Sequence, residues 1–109
     1  MELKISHEEG YVLVGCVGAI DDSAKPLFSE YVRPMLAEQG TKVVLDLSGA
    51  NLITSAGIGN LVSLVADANL HGSRVILADC SSFVAIVLAR SKLDRFFETA
   101  ASVAEAIRL

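Results

Sequence analysis

The hydrophobic and polar positions of the N-terminal segment form strand-like runs. Two such runs cover residues 2–6 and 11–17, and Gly10 lies between them as a turn residue. Strand-like runs separated by a short glycine-containing connection are typical of a β-hairpin. The chain is therefore predicted to begin with a hairpin.

The pattern then changes to the three- and four-residue spacing of one helix face. Residues 21–23 supply capping side chains for this helix, and Pro26 falls in its first turn, where a missing N–H is tolerated. Pro34 should kink the helix because it removes a backbone hydrogen bond, and Gly40 supplies a left-handed stop. The apolar positions are Leu27, Phe28, Tyr31, Val32, Met35 and Leu36.

Two short runs of β-branched and aliphatic residues, 42–47 and 74–78, are typical of strands that are covered on both faces. Between them, residues 55–71 place apolar side chains at helical spacing, and Gly72 ends the segment. A strand, a helix and a second strand in this order predict a parallel unit with a right-handed crossover.

The last third of the chain predicts smaller elements. Ser81 and Ser82 offer caps for a helix that ends near residue 89, followed by an edge strand at 97–99 and a short helix at 102–109. The total of 109 residues matches one domain, since domains most often have roughly 100 to 150 residues. We therefore predict a single α/β domain spanning 1–109: a mostly parallel sheet of four to five strands, with an N-terminal hairpin, packed with about four helices.

Composition bears on location. Apolar residues make up 52% of the chain and the mean hydropathy is +0.52. The longest apolar run, residues 83–89, is nevertheless far shorter than the roughly 18 to 20 residues that cross a bilayer. The N-terminus also lacks the basic segment and apolar block of a signal peptide. These features predict a cytoplasmic protein without membrane insertion.

Charge and cysteine usage exclude further classes. The formal net charge is −4 and no cluster of Lys and Arg is present, which disfavours direct binding of nucleic acid. Cys16 and Cys80 lie far apart, without a C-x-x-C spacing or a nearby histidine pair, so neither a zinc site nor a disulfide framework is indicated. We predict no metal and no cofactor, and expect both cysteines to pack as small hydrophobes.

The most suggestive segment for a functional site is 46–59, which leads from a predicted strand into the predicted helix. Sites in α/β sheets gather at such places because free N–H groups and the helix dipole meet there. By spacing alone, Thr54 or Ser55 is a helix cap, and the alternative is that Ser55 is a modifiable hydroxyl. Gly57 and Gly59 indicate a close approach to another part of the chain or to a partner, because glycine in a helix otherwise costs up to about 1 kcal/mol.

Three catalytic interpretations fit this segment poorly. A nucleophile elbow needs glycine two residues before Ser55, where this chain has Ile53. A phosphate-binding Walker loop needs a lysine, and residues 49–59 contain none. An aspartyl phosphoacceptor at Asp46 lacks a matching basic partner. The segment therefore favours a non-enzymatic role over hydrolysis or nucleotide turnover.

The order of elements and three motifs resemble the STAS domain, the fold of bacterial anti-sigma-factor antagonists, over essentially the whole chain. The motifs are Gly-Ala-Ile-Asp at 18–21, Val-Leu-Asp-Leu-Ser at 44–48 and Ile-Thr-Ser-Ala-Gly-Ile-Gly at 53–59, of which the last is the most specific. Many family members have acidic residues where this chain has Ala19 and Thr54. The resemblance implies a STAS-like fold.

The resemblance also implies a regulatory protein-binding switch. In the family, the phosphoacceptor serine lies two residues before the glycine at the helix start, which corresponds to Ser55, with Thr54 as a second hydroxyl. The unphosphorylated domain binds an anti-sigma factor that is also a GHKL-type serine kinase, phosphorylation releases it, and a PP2C-type phosphatase resets the switch. The implied partner-binding residues are Asp21, Asn51, Thr54, Ser55, Ala56, Gly57, Ile58 and Gly59.

Two alternatives remain open at this stage. One is a non-switching STAS subunit of a transporter, of the lipid-transport ABC type, or of a larger signalling scaffold. The other is a small hydrolase, which predicts a turnover that Ser55→Ala abolishes.

Overall fold

A computed structural model describes residues 1–93 and 95–109, which form an α/β fold around a six-stranded sheet. The strand order is β1-β2-β3-β5-β6, and β4 pairs with β2. The first pair is antiparallel and all others are parallel, which confirms the predicted hairpin and mostly parallel sheet. The strands are β1 (Glu2–Glu8), β2 (Tyr11–Ile20), β3 (Lys42–Asp46), β4 (Ala50–Ile53), β5 (Arg74–Ala78) and β6 (Glu98–Ala100).

The sheet has one strand more than the upper limit of the sequence prediction, because the residue pattern of β4 does not indicate a strand. β4 pairs only with the end of β2, which runs to Ile20 and not to residue 17 as predicted. The pairs are Gly18 with Ala50 and Ile20 with Ile53, with a shift of register after Gly18. This extension of β2 carries the chain up to the candidate site.

The first helical stretch is interrupted as Pro34 predicts, by one wider turn. It consists of α1 (Ala24–Leu27), a π-helical turn (Phe28–Val32) and α2 (Arg33–Leu36). The N–H of Arg33 donates to the carbonyl of Phe28, five residues back, immediately before the proline that has no N–H to donate. A single π turn accommodates such a break without ending the helix.

The remaining helices begin at side-chain caps. They are α3 (Ser55–Leu70), α4 (Ser82–Arg90) and α5 (Val103–Arg108). Thr54, Ser81 and Ser102 each accept a hydrogen bond from the N–H three residues further on. Their bounds agree with the predicted helices to within about two residues, the usual uncertainty of helix ends. Within the described residues, no helix has both the length and the apolar character needed to span a bilayer.

The two faces of the sheet are covered unequally. The helical segments that precede α5 pack on one face, over a large core that includes Val14, Leu45 and Leu77. The opposite face holds a small core under α5, made of Val44, Ile76, Ala78, Ala100 and Ala106. The central strands β3 and β5 are thus covered on both faces, as their apolar sequences indicate.

Cys16 lies in the larger core with 1% of its surface exposed. Burial, with a contribution from the charge of Asp46, raises the pKa of its thiol to about 12. A thiol in the unfolded chain titrates near pH 8.5. Between these values the unfolded chain loses a proton that the folded chain keeps, so the stability supplied by the neutral thiol falls as the pH rises.

We expect this loss to approach about 1.4 kcal/mol per pH unit above pH 9. Urea unfolding measured from pH 7 to 10.5 should therefore show a shallower alkaline decline for Cys16→Ala than for the unmodified chain. Burial also raises the pKa of the Cys80 thiol, but this residue is only half-buried, so Cys80→Ala, the matched comparison, should flatten the decline less than Cys16→Ala. Identical alkaline slopes for Cys16→Ala and the unmodified chain would contradict this assignment.

Candidate functional site

The candidate site lies where β4 leads into α3, and Thr54 is the residue that starts the helix. Its backbone is extended, its Oγ1 accepts from the N–H of Gly57 at 3.1 Å, and its carbonyl accepts from Ile58 at 2.9 Å. Its own N–H donates to the carbonyl of Ile20 at 3.0 Å. Of the two hydroxyls that the sequence left as alternatives, Thr54 is thus the cap, an interaction that contributes about 1 kcal/mol.

Gly57 is the point at which α3 meets the end of β2. A Cβ built on Gly57 would stand 1.8 Å from the carbonyl oxygen of Ile20 and 2.5 Å from its carbonyl carbon. The close approach indicated by the sequence is therefore to another part of the chain. Gly57 is buried, so the structure gives it a packing role, and its place among the partner-binding residues stays a prediction. Gly59 is exposed, and a Cβ there would meet nothing within 4 Å.

A third contact between α3 and the end of β2 involves Asn60, which the sequence analysis did not single out. Its Nδ2 donates to the carbonyl of Asp21 at 2.9 Å. The Oδ1 of Asp21 accepts from the N–H and hydroxyl of Ser23, and these hydrogen bonds lower the pKa of the Asp21 carboxyl. The available signal was an amide side chain one turn after Gly57, on the face of α3 that meets β2.

The contacts of Thr54, Gly57 and Asn60 are called the helix anchor below. They fix the first two turns of α3 against the last residues of β2. The backbone carbonyl of Asp21 therefore lies beside these turns, where it accepts from Asn60, while the Asp21 carboxylate accepts from Ser23.

Four other residues of the predicted site are exposed and form what is called the helix-start surface below. They are Asn51 on β4 and Ser55, Ala56 and Gly59 on α3. Ile58 and Thr54 are half-buried, and Thr54 uses its hydroxyl in the cap. The structure thus brings the predicted residues together but divides them into an anchored set and an exposed set.

Ser55 stands at the first position of α3 with its side chain exposed. Helices begin with four N–H groups that have no partner within the helix. The N–H of Thr54 donates to the carbonyl of Ile20, and the N–H of Gly57 donates to the Thr54 hydroxyl. Among the described residues, the N–H groups of Ser55 and Ala56 have no such protein acceptor. A negative group attached to Ser55 would lie near these donors and the positive end of the helix dipole.

The described part of the chain contains no group of three His, Cys, Asp or Glu side chains placed to hold a metal ion. Asp46, the alternative phosphoacceptor, is the last residue of β3, and its Oδ1 accepts from the N–H of Ser48 at 3.0 Å.

Comparison with known proteins gives one family. A STAS domain family model matches residues 2–106. A Thermotoga maritima protein described as an anti-sigma factor antagonist has a TM-score of 0.86 at 21% identity, covering 97% of this chain and 92% of that one. An RsbS variant of Moorella thermoacetica has a TM-score of 0.80 at 22% identity, with coverages of 99% and 93%. The anti-sigma factor antagonist SpoIIAA in its unphosphorylated form has a TM-score of 0.77 at 18% identity, with coverages of 97% and 93%.

The TM-scores show a shared fold, and the family match extends over nearly the whole sequence. The match includes β4, the helix anchor and the helix-start surface, so the site described above lies inside the family domain. The chain belongs to the STAS domain family.

Proposed function

We propose that this chain is a non-catalytic regulatory switch that binds an anti-sigma factor when Ser55 is unmodified and releases it when Ser55 is phosphorylated. The observation that carries the proposal is the exposed Ser55 hydroxyl at the start of an anchored helix in a STAS domain. Among structures of similar fold, SpoIIAA exists in unphosphorylated and phosphorylated forms, and the RsbS variant has a serine-to-glutamate substitution. These neighbours support a serine-centred switch here.

A phosphate on Ser55 is compatible with the folded domain. It adds about −1.5 to −2 charges and three acceptor oxygens. The neighbouring N–H groups of Ser55 and Ala56 can donate to these oxygens, and the helix dipole favours negative charge at this end. The fold therefore gives little resistance to the modification.

The phosphate would destabilise the complex with the anti-sigma factor, and not the folded domain. Ala56 and Gly59 are small and exposed, so a partner surface can approach the helix start closely. Burying a doubly charged group in that contact without a matching cation costs several kcal/mol. Since each 1.4 kcal/mol is tenfold in affinity, one modification is enough to release the partner.

The proposed partner is an anti-sigma factor that is also a serine kinase of the GHKL type, and the proposed resetting enzyme is a PP2C-type phosphatase. Such a kinase would have to reach Ser55 from outside, which the exposure of this side chain permits. It would modify Thr54 less readily, because the Thr54 hydroxyl accepts the capping hydrogen bond and is half-buried.

Phosphorylation is tested with purified chain, ATP and a GHKL-type kinase encoded beside its gene. Mass spectrometry of the digested protein should find one phosphate, on the peptide that contains Ser55. Ser55→Ala should lose it, while Thr54→Ala should keep it despite losing a cap that contributes about 1 kcal/mol. A PP2C-type phosphatase should remove it. Transfer that survives in Ser55→Ala, or no transfer to any variant, would count against Ser55 as the acceptor.

A further inference from the structure

The sheet has one long edge. β1 is the terminal strand of the sheet, seven residues long, contains no proline and pairs with β2 without a break in register. The opposite edge, β6, has three residues. A regular edge strand offers a row of unpaired N–H and C=O groups to another strand. β1 is therefore the edge that a further strand would extend.

An apolar groove of about 390 Å³ lies along this edge, called the β1 groove below. Its apolar lining is Met1, Leu3, Ile5, Leu27 and Tyr31. Ile5 is 37% exposed and Tyr31 is 49% exposed. Leu3 and Ile5 alternate along β1, and Met1 continues the alternation just before it, so a strand added at the edge would place its own alternate side chains beside the groove.

We propose that a second copy of this chain occupies the β1 edge, with the two β1 strands antiparallel and Leu3 opposite Leu3. This register also places Met1 opposite Ile5, and Glu2 of each copy opposite Lys4 of the other. The groove residues of the two copies then meet on one face. Two Glu–Lys pairs meet on the other face, and opposite charges across a strand pair are stabilising.

Other antiparallel registers also keep the helices of both copies on the same face of the joined sheet. The charge pattern of β1 disfavours two of these registers. Shifting the pairing by one residue per strand places Lys4 opposite Lys4. A further shift places Glu2 opposite Glu8. Like charges directly opposite one another destabilise a strand pair.

The register with Ser6 opposite Ser6 pairs Lys4 with Glu8 and avoids like charges. It places Ile5 opposite His7, however, and separates the two β1 grooves. The register centred on Leu3 alone combines complementary charge with apolar contact. The helix-start surface contributes no residue to this pairing, so the dimer is independent of the proposed switch.

The test measures the mass of the full chain by sedimentation velocity over a range of concentrations. We expect a dimer that is about tenfold weaker for Glu2→Lys and for Lys4→Glu, because each change creates two like-charge pairs. The double variant Glu2→Lys with Lys4→Glu should recover the affinity, since it exchanges the two signs. Glu8→Lys is the matched control and should dimerise like the unmodified chain.

Cross-linking identifies the register directly. In a Cys80→Ala background, Leu3→Cys should give a covalent dimer with a short bismaleimide and Ser6→Cys should not. Cys16 is buried and stays unreactive in the folded chain. A monomer at every concentration, a dimer unaffected by Glu2→Lys, or cross-linking through Ser6→Cys alone would overturn the proposed pairing. Phosphorylation of Ser55 is measured in a separate experiment, so failure of the dimer proposal can be distinguished from failure of the proposed switch.

Discussion

Gly57→Ala is expected to destabilise the domain by at least about 3 kcal/mol, a large share of the 5–15 kcal/mol typical of folded domains. The added Cβ would lie 1.8 Å from the carbonyl oxygen of Ile20. Because the opposing atom belongs to the backbone, no side chain can rotate away. α3 would have to shift from β2, which would break the hydrogen bond from Thr54 to Ile20 and the one from Asn60 to Asp21.

Gly59→Ala is the matched control, two residues further along the same helix. A Cβ there meets nothing within 4 Å. Replacing glycine by alanine in a helix is then neutral or stabilising by up to about 1 kcal/mol. Urea unfolding followed by circular dichroism should find Gly57→Ala much less stable than the unmodified chain and Gly59→Ala as stable as the unmodified chain or more so. Equal stability of Gly57→Ala and Gly59→Ala would show that α3 does not depend on this contact.

The second large effect is expected in binding. Ser55→Glu should weaken the complex with the GHKL-type kinase by about 100-fold or more, because an unpaired charge buried in the contact costs several kcal/mol. Ser55→Ala should bind like the unmodified chain, since it adds no charge. Isothermal titration calorimetry on the purified proteins gives both values.

Two controls separate this loss from unfolding and from net charge. A glutamate in the first turn of α3 is favoured by the helix dipole by about 0.3–1 kcal/mol, so Ser55→Glu should remain folded. Gln39→Glu adds the same charge at an exposed position before β3, at the opposite end of this parallel strand from the site, and should leave the affinity unchanged. Equal binding by Ser55→Glu and the unmodified chain would instead favour a non-switching STAS subunit of a transporter or scaffold.

The spacing of apolar residues predicted the helices and strands that are long enough to have a clear pattern. The helix at α3 and the strands β3 and β5 carry continuous apolar patterns, and their observed bounds differ little from the predicted ones. β4 has four residues, and the two buried ones, Ala50 and Ile53, are separated by two exposed residues, which is not the alternation of a strand. β4 forms because it pairs with the end of β2, and pairing between distant segments cannot be predicted from the residue pattern of either segment alone.

The candidate site, too, could be predicted only in part from the sequence. A threonine, a serine and two glycines indicated a helix start, but cap geometry was needed to assign Thr54 to the cap and leave Ser55 exposed. Likewise, only the packing of α3 on β2 distinguishes Gly57 from Gly59. Asn60 was missed because its acceptor, the carbonyl of Asp21, lies 39 residues earlier in the chain.

The helix anchor has a mechanical consequence. Its contacts join the first turns of α3 to backbone atoms of Ile20 and Asp21, at the end of a strand inside the sheet. A charge added at Ser55 is therefore attached to a helix turn that backbone contacts hold against the sheet. In the proposed switch, the bound and released forms of this domain would share one backbone shape and differ only in what their surface presents. The pace of switching would then be set by the kinase and the phosphatase, with no slow rearrangement of the domain between them.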